Sequence, residues 1–117
     1  TNLLNWNKEL WVIDNGASFY FHHNWDTWKN HLTRTFPLIK DHVLLERASL
    51  LSEASKTIVN TLNESTIEDI IYKIPEDWLT NESDTLTPEE MRKAYIEYLN
   101  SRLLKIDTLV KEAEDAR

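Results

Sequence analysis

One glycine and three prolines in 117 residues leave this chain very few places to turn back on itself tightly. Sandwiches and barrels use those residue types at turn after turn, because glycine takes positive φ without a Cβ clash and proline presets a turn's φ. A chain this poor in both is expected to be mainly α, with a short β-hairpin near its N-terminus followed by a helical pack. Apolar residues make up 41%, including five Trp, four Tyr and three Phe, which is enough for one modest core. The expectation is therefore a single domain over residues 1–117.

Charge narrows the partners. With 20 acidic and 13 basic residues the net charge is −7, and no basic stripe is visible, so nucleic acid is not expected as a partner. The acidity gathers after residue 63, leaving the first third closer to neutral and able to host a nucleotide site. With no cysteine there is neither a disulfide framework nor a thiolate zinc site, which fits the cytoplasm. No apolar run has membrane-spanning length, so no membrane partner is expected. Thr1 has no initiator Met before it and the first strand begins almost at once. A fragment cut within a functional loop is therefore expected.

Along the chain, residues 3–6 and 10–14 read as strands joined by Asn7-Lys8-Glu9, and residues 17–21 as strand or coil. Trp25, Trp28 and Leu32 predict a short helix capped by Asn24. Leu50, Leu51, Ala54, Ile58 and Leu62 predict a helix from about 48 to 62, and Thr66 is placed to cap another that ends before Pro75. Pro75 to Leu79 predicts a tight turn presenting Trp78 as a core anchor. Thr87-Pro88-Glu89-Glu90 carries the capping-box pattern with proline at the first helical position. The apolar stripe from Met91 to Ala113 extends that helix to about residue 114, roughly 40 Å at 1.5 Å per residue.

The chemistry concentrates in Leu10-Trp11-Val12-Ile13-Asp14-Asn15-Gly16. Leu10 to Ile13 does not alternate apolar and polar, which predicts a strand buried on both faces that ends in the carboxylate of Asp14. Gly16 is expected to supply the positive φ that turns the backbone away. The competing reading is a surface hairpin turning at Asn15-Gly16. Asn2 lies twelve residues before Asp14. An Asn ending a loop, then a short apolar hairpin, then Asp-x-Gly matches the spacing with which protein kinases hold Mg²⁺ against nucleotide phosphates. Asn2 and Asp14 are thus the candidate metal ligands. Adjacent His22 and His23 point to opposite sides of extended backbone and do not chelate together; His31 and His42 lack zinc spacing. Packed or hydrogen-bonded imidazoles are expected, and His22 or His23 can steady the Asp14 loop by hydrogen bonding. No nucleophile triad or phosphate-cradling glycine loop is present.

Asn2-Leu3-Leu4, Leu10 to Ala17 and Phe21-His22-His23-Asn24-Trp25 resemble the bacterial HipA-like kinase family, in its branch of stand-alone domains. The resemblance continues through residues 36–45, Ile74 to Leu79 and Tyr95 to Leu103. It implies the C-terminal part of a kinase-like large lobe from a serine/threonine protein kinase. In it Asn2 and Asp14 hold Mg²⁺ and ATP is bound by the intact parent. The general base, the phosphate-binding loop and its lysine would lie in the missing N-terminal part of the same protein, leaving this chain alone inactive. Asn15 departs from the residues usual at that position. A protein substrate is the further implied partner. The alternative is a helical protein-interaction module or a degenerate lobe without catalysis.

Overall fold

A computed structural model of the chain describes residues 2–16, 18–22, 24–80 and 86–117. The architecture is mainly helical with a short N-terminal antiparallel hairpin, as the scarcity of glycine and proline implies. Strands β1 (Leu3–Trp6) and β2 (Glu9–Val12) pair Leu3 with Val12, Leu4 with Trp11, Asn5 with Leu10 and Trp6 with Glu9. The connection is a two-residue turn, one residue shorter than the sequence suggests. Asn7 and Lys8 both sit at positive φ, 52° and 68°. Two such residues twist the turn to match the right-handed twist of the strands. Asn15-Gly16 is therefore not the hairpin turn.

Beyond the hairpin a 3₁₀ helix forms over Trp25–His31. The expected short helix is thus present in the tighter 3₁₀ form. Asn24 precedes it without a side-chain cap; its backbone carbonyl accepts from the Thr27 amide at 3.3 Å and from Thr27 Oγ1 at 3.0 Å. Two shorter 3₁₀ segments, Pro37–Asp41 and Leu45–Arg47, lead to α1 (Leu51–Thr61). That helix begins later than its apolar stripe indicated, and the stripe is largely uncovered: Leu50, Ala54 and Ile58 are exposed.

Helix α2 (Glu64–Ile71) is capped by Asn63 rather than Thr66. Asn63 Oδ1 accepts from the Thr66 amide at 2.9 Å and from its hydroxyl at 3.1 Å, because the cap residue must precede the helix and Thr66 is already inside it. Helix α3 (Pro88–Leu104) carries the capping box read from the sequence. The Glu90 amide donates to Thr87 Oγ1 at 3.3 Å and the Thr87 amide to Glu90 Oε2 at 2.8 Å. The predicted single long helix is broken: Lys105 leaves helical geometry at φ −105°, ψ 10°, and α4 (Ile106–Asp115) follows. The break serves two packing partners. Helix α3 lies on α2, whereas α4 lies on α1 and on the 37–41 segment.

The core joins Phe21, Trp25, Ile67, Ile71, Leu79, Met91, Ala94 and Tyr95, with Phe19, Tyr98 and Leu99 packed around it. Trp78 is not in it. Its side chain is 77% exposed, and Leu79 fills the place expected of it at 3%. The 3₁₀ turn Glu76–Trp78 rotates the following residue inward, so the anchor is one position later. Among the described residues no helix is long and apolar enough to cross a membrane.

Candidate functional site

The open end of the hairpin brings the two predicted ligands together. The Ile13 amide donates to the Asn2 carbonyl at 2.9 Å, continuing the ladder one step past the strands. Asn2 Nδ2 donates to the Asp14 carbonyl oxygen, so side chain and backbone close the same end. Residues twelve apart in sequence are neighbours because a two-residue turn and matched strand lengths fix the register. Asp14 itself sits at φ 48°, in the left-handed region that few residues other than glycine visit. Both Asn2 and Asp14 are exposed.

Two expectations about this segment are corrected. Gly16 does not have positive φ; Asp14 takes that conformation instead. A Cβ placed on Gly16 would meet nothing within 4 Å, so neither backbone nor packing requires glycine there. The strand before Asp14 is also not buried. Trp6, Leu10, Trp11 and Val12 are more than half exposed, and Leu4 and Ile13 are 40% or more exposed. The absence of alternation is real, but it marks a hairpin apolar on both faces and covered on neither. Leu3, Leu10 and Val12 share one face, and Leu4, Trp6 and Trp11 the other.

The loop after Asp14 is tied to the helical pack through His22. Its Nδ1 faces the Gly16 carbonyl at 3.4 Å and its Nε2 meets the Tyr95 hydroxyl at 2.8 Å. Only one assignment makes both contacts hydrogen bonds in neutral imidazole: Nδ1–H donates to the carbonyl, and Nε2 accepts from the phenol. Burial pushes the Tyr95 phenol above its ordinary value, which keeps the donor protonated. The imidazole also lies edge-on to Phe19, Phe21 and Tyr95 at 5.2, 5.6 and 5.7 Å. Expectation and structure agree that a histidine packs against aromatics and steadies this loop. Its neighbour His23 lies outside the described residues. Tyr95 was not legible as a functional residue, since a tyrosine on the apolar stripe of α3 reads simply as core.

His42 Nδ1 accepts from the Leu44 amide at 3.3 Å, and His31 stacks on Tyr20. Among the described residues no three His, Asp or Glu side chains converge in a metal-binding group. One carboxylate and one amide do not make an all-protein cage. They do suit Mg²⁺, which prefers hard oxygen donors and is usually held by one or two carboxylates together with phosphate and water. The donors are of the right chemistry, and the left-handed Asp14 lies on the same open end as the Asn2 amide.

Comparison with family models, with curated proteins and with solved structures finds no match to this chain.

Proposed function

We propose that this chain is the C-terminal part of the large lobe of a HipA-like serine/threonine protein kinase, bearing the metal-binding Asn2 and Asp14 of its phosphoryl-transfer site. The observation that carries the reading is the meeting of Asn2 and Asp14 at the open end of one hairpin, with Asp14 held at φ 48°. Aspartate is one of the few non-glycine residues that visit this region, and here the conformation turns the chain at the end of the hairpin. The resemblance of residues 2–4, 10–17 and 21–25 supplies the family.

In the intact parent, Asp14 and Asn2 would hold Mg²⁺ against the phosphates of ATP. The bound metal would neutralise charge developing on the transferred phosphoryl group. What this chain contributes is position. The matched strands set the Asn2–Asp14 spacing, and His22 and Tyr95 connect the following loop to α3. The base that takes the proton from the acceptor hydroxyl, and the loop and lysine that cradle the nucleotide, belong to the preceding part of the parent. The chain alone is then inactive and binds Mg·ATP weakly. The bare apolar faces of the hairpin support the same reading, because strands apolar on both sides are built to be covered on both sides. The preceding part of the parent is the proposed cover. A bacterial cytoplasmic location and a protein substrate belong to the same proposal, without a nucleic-acid or membrane partner.

The test is Asp14→Asn in the parent. Phosphorylation should be lost while the circular dichroism spectrum is unchanged; activity equal to wild type would remove the metal role. The exposed hairpin also favours a second reading, a helical interaction module without catalysis. In that case Asp14→Asn would be silent, whereas Trp11→Ser would abolish partner binding.

A further inference from the structure

We propose that the cleft between the 31–38 segment and α3 binds a phosphate monoester carried on an aromatic or heterocyclic ring. The cleft has a volume of about 440 Å³ and is lined by Arg34 and Arg102, His31, and the rings of Tyr20, Phe36 and Tyr98. This size falls within the usual range for small-molecule sites. The proposal is independent of the kinase reading, since none of these residues belongs to the Asn2–Asp14 pair.

Three observations converge on it. The first is charge. The chain carries 20 acidic residues against 13 basic ones, yet among the described residues no Asp or Glu lines this cleft. Neither Arg34 nor Arg102 has a carboxylate partner among the described residues, where the ion pair present joins Lys111 to Asp115. Two arginines lining one concavity, with no acid among its described lining residues, suit an oxyanion, and the planar fork of a guanidinium suits phosphate in particular. The second is construction. Arg102 Nη1 donates to the Arg34 carbonyl, and the Phe36 amide donates to Glu112 Oε2 at 2.8 Å, so two side-chain ties from α3 and α4 hold the cleft's loop in place. Glu112 is engaged behind the loop and does not enter the lining. The third is the wall. Tyr20 stacks on His31 with ring centroids 6.4 Å apart and planes 19° apart, and Tyr20 is 63% exposed. An exposed aromatic face at the mouth of a cationic cleft offers a planar ligand a stacking surface beside its phosphate.

The ligand chemistry has two sources: a free small molecule, or a phosphotyrosine side chain of a peptide. Titration of the ¹⁵N-labelled chain at low ionic strength with phenyl phosphate, inorganic phosphate and a phosphotyrosine hexapeptide separates them. Phenyl phosphate should shift the Arg34 and Arg102 side-chain resonances saturably. It should bind roughly fivefold more tightly than inorganic phosphate, the margin expected of one ring contact. Arg34→Ala, at an exposed position, should weaken binding about tenfold, as loss of a charge-assisted contact does. Arg102→Lys keeps the charge but removes the fork and should also weaken it. Tyr20→Ser should lower affinity for phenyl phosphate and leave inorganic phosphate unaffected, a split that a general loss of fold would not produce. Equal affinity for phenyl phosphate and the hexapeptide assigns the site to the free molecule; tighter binding of the hexapeptide assigns it to the side chain. Absence of saturable shifts up to about 10 mM phenyl phosphate, an affinity too weak for a built site, overturns the proposal. Unchanged affinity in a folded Arg34→Ala variant overturns it equally.

Discussion

Replacing Tyr95 by Phe removes one atom from the contact between the Asp14 loop and the helical pack. The Tyr95 side chain is 9% exposed, and its ring lies 5.3 Å from Trp25, 5.5 Å from Phe19 and 6.0 Å from Phe21. Phenylalanine keeps those contacts, so the apolar burial is nearly unchanged and no cavity opens. What disappears is the hydroxyl's hydrogen bond to His22 Nε2, 2.8 Å long. A neutral hydrogen bond contributes about 1 kcal/mol net. His22 is only half-buried, so water can reach the nitrogen left behind, and the penalty for an orphaned acceptor is not added. Urea unfolding should therefore show a loss of about 1 kcal/mol, well short of the roughly 3–5 kcal/mol that follows removal of a whole aromatic side chain. In wild type the imidazole should be found with its proton on Nδ1, facing the Gly16 carbonyl. In the variant ¹⁵N chemical shifts should report that this tautomer is no longer fixed. The pH dependence has a definite sign. Because burial raises the Tyr95 phenol in the folded state, its share of stability is full below about pH 10 and is lost as pH rises through the folded value. Tyr95→Phe should flatten part of that alkaline decline, though Tyr72 retains its own, being raised chiefly by its hydrogen bond to Glu89. Unaltered stability together with an unaltered His22 tautomer would show that the tie carries nothing.

Three further outcomes follow from placement. Trp78→Ala should cost less than about 0.5 kcal/mol in a denaturant titration, because the ring is mostly in solvent, and a large loss would return it to the core. Gly16→Ala should be neutral or stabilising by about 0.4–1 kcal/mol, since the backbone there is open to alanine and the unfolded chain loses freedom. Thermal or urea unfolding that shows destabilisation would expose a constraint on the loop. Thr87→Ala should cost about 1 kcal/mol through loss of the cap of α3. The same capping contacts, the Thr87 backbone amide first and its hydroxyl second, hold the Glu90 carboxyl below the usual carboxylate range. Their contribution is present above the ordinary glutamate value and is lost as pH falls through the lowered one. An acid unfolding profile identical in Thr87→Ala and wild type would refute that assignment.

What the residues determine alone is local. Thr87, Pro88 and Glu90 make a capping box wherever they occur, because every partner lies within four residues. The scarcity of glycine and proline limits the turns and so favours helices. The Asn2–Asp14 spacing was legible for a related reason: one short hairpin with one register closes it. Long-range partners decided the remainder. The apolar stripe of 91–113 is continuous in sequence, yet α2 and the aromatic cluster need one face and α1 another, and only their positions call for the break at Lys105. Leu79 rather than Trp78 enters the core because a 3₁₀ turn advances the chain by a different angle per residue from an α-helix. Apolar strands without alternation look buried from sequence, but burial needs a neighbour, and pattern alone cannot supply one. Tyr95 and His22, seventy-three positions apart, and Arg34 and Arg102, sixty-eight apart, meet only when α3 packs back across the N-terminal third. No periodicity encodes such a meeting, because it depends on where two helices cross.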